Sequence, residues 1–147
     1  MKKFKVFALF LTLTTLTGCL SDDENYCSQT IYPFVSNVTG PDTALTGEEI
    51  AINVSFPIVA NCATFTGFNK SQLTSENNND DVYTQNIYAA VQHEGCQCSG
   101  PTTTQTEEFT FSADEPGEYN LKFINGSNQD NTQYTYITKT ITVSDPD

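Results

Sequence analysis

From Ile50 to Phe56 the chain alternates without a break: Ile50, Ile52, Val54 and Phe56 share one phase, and Ala51, Asn53 and Ser55 share the other. A period of two is what a strand with one buried face requires, and a helix cannot present such a set on one side. The same period returns in Phe109 and Phe111, in Tyr119, Leu121 and Phe123, and in Ile137, Ile141 and Val143. Weaker candidates are TIYPFVSNV (30–38), CATFTGF (62–68) and VYTQNIYAAVQ (82–92), the last with room for a turn or two of helix. Between them lie TGPDTALTGE, NKSQLTSENNNDD, ADEPGE and NGSNQDN, rich in residues that accept tight or positive-φ turns. About seven strands spaced by turns predict an all-β chain whose two antiparallel sheets pack as a sandwich.

The turn ADEPGEYNLKF, with Asp114, Gly117 and Tyr119, is similar to the corner that enters the penultimate strand of immunoglobulin-like sandwiches, with one extra residue between the acid and the glycine. That resemblance implies a tyrosine hydroxyl bonded back to the main chain across the corner. The antibody hallmarks are missing. The chain has no tryptophan, and position 121 is leucine where those domains carry a cysteine. The resemblance therefore concerns architecture and implies nothing about function.

The amino end has different physics. Lys2, Lys3 and Lys5 precede an apolar run from Val6 to Leu16 broken only by threonines. This is the length of a secretory signal and shorter than the roughly 20 residues that span a bilayer. Leu16-Thr17-Gly18-Cys19 resembles the lipobox of bacterial lipoproteins. The resemblance implies cleavage before Cys19, acylation of that residue and membrane attachment through it; the plainer alternative is an ordinary signal peptide with Cys19 left free. Ser21, Asp22, Asp23 and Glu24 follow at once. As chemistry they are a solvated, self-repelling tether. They also resemble the export signal of surface lipoproteins of Bacteroidota, which implies the outer face of the outer membrane, with the periplasmic face as the alternative. The organisation expected is a signal peptide at 1–18, a lipidated cysteine and acidic tether at 19–29, and one sandwich domain at 30–147.

Without residues 1–18, three lysines (Lys70, Lys122, Lys139) stand against all 18 acidic residues, a formal charge of −15, and there is no arginine. Such a chain is a poor partner for nucleic acid. Setting Cys19 aside leaves Cys27, Cys62, Cys96 and Cys98, an even number for a chain bound for an oxidising compartment. A bridge from Cys96 to Cys98 would close a strained ring. Cys27 and Cys62 are therefore each expected to pair with one member of the CQC segment, in either combination. The competing reading takes His93, Cys96 and Cys98 as soft metal ligands, but lacks the paired Cys-x-x-Cys spacing of zinc sites.

Catalytic chemistry finds little support. His93 is the only histidine, beside Glu94 and expected in a disulfide-bonded loop. The acidic pairs Glu48-Glu49, Glu107-Glu108 and Asp114-Glu115 would point to opposite faces if they lay in strands. No nucleophile-elbow, zinc-protease or phosphate-loop motif occurs. The run from Asn77 to Asp81 carries enough oxygen for calcium but lacks the spaced pattern of a calcium loop. Among the aromatic residues, Tyr83, Tyr88, Tyr134 and Tyr136 are the outward candidates for stacking on sugars. Asp42-Thr43-Ala44 resembles an O-glycosylation acceptor of Bacteroidota. The expectation is a non-enzymatic binding module without cofactor or metal, facing a glycan or an envelope protein through loops such as 77–81, 92–101 and 126–131; the alternative is a structural accessory of an outer-membrane complex.

Overall fold

The computed structural model describes residues 27–75, 81–128, 130 and 132–146. Cys19, the segment from Ser21 to Glu24 and most of the candidate calcium run lie outside the described residues. The described chain is built of ten strands: β1 (Ser28–Ile31), β2 (Asn37–Thr39), β3 (Thr43–Leu45), β4 (Ile50–Val59), β5 (Ala63–Lys70), β6 (Thr74–Ser75), β7 (Val82–Glu94), β8 (Thr102–Phe111), β9 (Gly117–Ser127) and β10 (Tyr134–Ser144). The first begins at Ser28, two residues ahead of the expected domain boundary.

The strands form a sandwich of two sheets. One has the order β1-β7-β9-β10-β3, with β5 and β6 also on β7; the other is β2-β4-β8. Every strongly alternating segment became a strand with the expected face buried: Ile52, Val54 and Phe56 from β4, Leu121 and Phe123 from β9 and Ile141 from β10 meet in a core to which β7 adds Ile87, Ala89 and Val91. The segment that had room for helix is strand throughout.

The count rises from seven to ten because local pattern does not reveal short strands. TIYPFVSNV divides at Pro33, whose missing N–H cannot serve a ladder, so β1 joins one sheet and β2 the other. β3 and β6 are two or three residues long and exist only as partners of longer strands. Two ladders depart from the antiparallel arrangement: β3 lies parallel to β10, and β7 lies parallel to β9. The cysteines pair as Cys27–Cys96 and Cys62–Cys98. Both bridges gather at the end of β7, where Gly95 N–H donates to the Cys27 carbonyl and Glu94 N–H to the Cys62 carbonyl, each at 2.8 Å. The sulfurs of Cys96 and Cys98 are consumed there, so the soft-metal set with His93 is not formed.

Candidate functional site

The site grows from the way one edge of β7 is shared. Val82–Ile87 run beside β9, and Val91–Glu94 run beside β1. Tyr88, Ala89 and Ala90 fall between the two ladders, where the chain leaving β1 turns away toward the other sheet. Val35 and Ser36 make that transfer, Val35 N–H bonding to the Ile124 carbonyl (2.7 Å) and Ser36 N–H to the Ser55 carbonyl (2.8 Å). Val35 is buried in the core, so Tyr32 and Phe34 stand on the opposite phase of this short segment.

Register brings further rings to the same place. Asn69 of β5 pairs with Tyr88, and Ile124 of β9 pairs with Tyr136 of β10. Tyr88 and Ile124 are each one residue beyond Ile87 and Phe123, the last couple of their ladder. Asn69, Tyr88, Ile124 and Tyr136 thus form a row across four strands on the outer face. Tyr134, two residues before Tyr136, rises beside them from the β9–β10 hairpin. Asn128 stiffens that hairpin by accepting the N–H groups of Thr132 (2.8 Å) and Gln133 (3.1 Å).

The result is an open groove of about 1000 Å³ whose walls include Tyr32, Phe34, Tyr88, Ile124 and Tyr134. Tyr32 packs edge-on to Tyr88 with ring centroids 6.0 Å apart, and its hydroxyl accepts a hydrogen bond from Asn69 Nδ2 (3.1 Å). Tyr32, Phe34 and Tyr134 are 50%, 44% and 49% exposed, unusually open for side chains of this size. Gln29, Thr30, Asn69, Lys70 and Ser71 supply polar groups around the rings. None of the described lining residues is acidic, in a chain that carries 18 acids. Burial raises the pKa of Tyr88 and the nearby Tyr136 and Tyr134 add to the rise, against a lowering by its hydrogen bond with Asn86. Its hydroxyl is therefore neutral and able both to donate and to accept at ordinary pH.

Of the four outward tyrosines expected from sequence, Tyr88, Tyr134 and Tyr136 meet here. Tyr83 does not. It is five residues from Tyr88, an odd number, so a regular strand cannot turn both outward; Tyr83 instead packs against the core, stacked on Tyr119 at 4.8 Å. It borders a separate hollow of about 370 Å³ with Leu73, Phe111, Asp114 and Glu115. Tyr32 and Phe34 escaped sequence reasoning, although the proline between them was a visible signal that the strand must break.

The catalytic candidates are dispersed. His93 is not in a loop: it belongs to β7, paired with Gln29 on one side and Ala63 on the other, because β1 and β5 extend the sheet to this point. Glu107 and Glu108 fall on opposite faces of β8, as expected. Glu48 accepts the Leu45 N–H at 2.8 Å within a turn, and Glu115 accepts the Tyr83 hydroxyl at 3.0 Å. Asp42 is ion-paired with Lys139, and its neighbour Thr43 is exposed in β3. Of the loops expected to carry contacts, 92–94 are strand and 96 and 98 are bridged cysteines. The groove lies on the side of the sandwich. What this arrangement offers chemically is stacking and hydrogen bonding. No family model, curated protein or solved structure matches the chain.

Proposed function

We propose that this protein is a lipid-anchored component of the cell envelope, displayed at the outer membrane, whose sandwich is a non-catalytic binding module. The observation that carries the proposal is the groove: three large aromatic side chains about half exposed, held by a strand crossover, a hairpin and a hydrogen bond, with polar groups and no acid among the described lining residues. Solvent-exposed apolar clusters of this kind mark interaction sites. The two disulfides agree with an oxidising compartment. The bridge at Cys27 also stands where the acidic tether would enter the fold. Tension on the anchor would pass through Cys96 to the end of β7 before it could peel the four residues of β1.

A second role, as structural accessory of an envelope complex, draws on β8, which pairs with β4 alone among the described strands and leaves a ten-residue edge open to an added strand. The test is carried out on the full chain in its own cells. Cys19→Ala should abolish acylation and leave the precursor uncleaved, with residues 1–18 still attached; a variant processed and membrane-bound as the wild type is overturns the anchor. Purified wild-type protein should capture a ligand or envelope protein without transforming it. Turnover of a substrate that disappears in His93→Ala or Glu94→Ala overturns the non-catalytic role.

A further inference from the structure

Resting on that role, we infer that the groove of Tyr32, Phe34, Tyr88 and Tyr134 binds a neutral glycan chain. Pyranose rings have an apolar C–H face and an equatorial rim of hydroxyls. A site for them needs flat aromatic surface together with side chains that donate and accept in the same place. The groove provides both. Tyr134 is open on a stiffened hairpin, and Tyr32 and Phe34 are open on the crossover, so ring surface is presented at more than one point along the groove. Asn69 and Gln29 carry carboxamides, each a donor and an acceptor, which match vicinal hydroxyls. A proline-rich peptide would use the same stacking surface, but its prolines bring no N–H to those acceptors. The groove volume of about 1000 Å³ is at the upper end for small-ligand sites, enough for more than one sugar ring.

Charge selects within the class. The groove walls carry Lys70 and no described acid, while the chain beyond residue 18 has a formal charge of −15. A polyanionic glycan would be repelled by that field, and a neutral one would not. The Asn69–Tyr32 hydrogen bond holds the Tyr32 ring edge-on to Tyr88, so part of the site is ordered before the ligand arrives.

The experiment is affinity electrophoresis of the full-length protein in detergent through gels containing laminarin, mannan, xylan, galactan or dextran, with heparin and alginate as polyanions. At least one neutral polysaccharide should retard the wild type. Tyr134→Ala should weaken the retardation about tenfold or more, whereas Tyr134→Phe, which keeps the ring, should stay within about threefold. Tyr134 is half exposed, so its alanine variant should melt as the wild type does and isolate binding from folding. The chain has seven tyrosines and no tryptophan, so quenching of tyrosine fluorescence gives an independent readout. Retardation by none of the neutral glycans, retardation only by polyanions, or retardation equal in Tyr134→Ala and wild type each overturns the inference. Capture of an envelope protein in place of any glycan, lost in Tyr134→Ala, would overturn the glycan while leaving the binding module standing.

Discussion

The hydroxyl of Tyr119 donates a 2.9 Å hydrogen bond to the main-chain carbonyl of Glu115, four residues earlier, and closes the corner at which the chain enters β9. The ring is buried against Phe111, 5.3 Å between centroids, and under Tyr83 at 4.8 Å. This is the back-bond that the ADEPGEY segment implied. Tyr119→Phe keeps the ring and removes only the donor. The expected cost is about 1 kcal/mol, a fall of a few degrees in Tm by thermal melting.

The same corner should make the fold sensitive to alkali. Burial and the nearby Glu115 and Asp114 raise the pKa of Tyr119, while the hydrogen bond to Glu115 is the main cause of the rise at Tyr83. A folded pKa above the unfolded value of about 10 means that the contribution is fully present below pH 10 and is lost as pH climbs through the folded values. Tm should be level between pH 7 and 9 and fall beyond pH 10. The fall should be smaller in a Tyr83→Phe, Tyr119→Phe double variant.

Gly117 begins β9 at φ +154°, and a Cβ there would meet the Asp81 carbonyl oxygen at 2.7 Å. That oxygen also accepts the Glu118 N–H at 2.7 Å, at the start of the parallel β7–β9 ladder, so it cannot retreat without opening the pairing. Gly117→Ala should destabilise by about 2 kcal/mol or more, seen in urea unfolding.

The bridges close loops of 69 and 36 residues, and chain entropy puts each at about 4 kcal/mol. Non-reducing peptide mapping should recover 27–96 and 62–98 and no thiol from these four cysteines. Replacing either pair by serine should lower Tm by more than any single surface change; recovery of crossed pairs would contradict the arrangement.

Phe56 is fully buried, with Phe65 at 5.5 Å across the core. Phe56→Ala should cost about 3–5 kcal/mol by equilibrium unfolding.

Sequence alone determined what depends on near neighbours. The phase of β4, β8, β9 and β10, the tyrosine corner and the even set of cysteines are readable because the side-chain period and a turn act within a few residues. Tertiary structure decided what depends on register between distant strands. The pairing of Cys27 with Cys96 rather than Cys98, the short strands β3 and β6, and the two parallel ladders follow from which edge each segment meets. The groove is the clearest case: Tyr32, Asn69, Tyr88, Ile124 and Tyr134 come from segments scattered over a hundred residues. They face one another because β1 and β9 share an edge of β7, and a one-residue slip in either ladder would turn that strand's side chains to the other face.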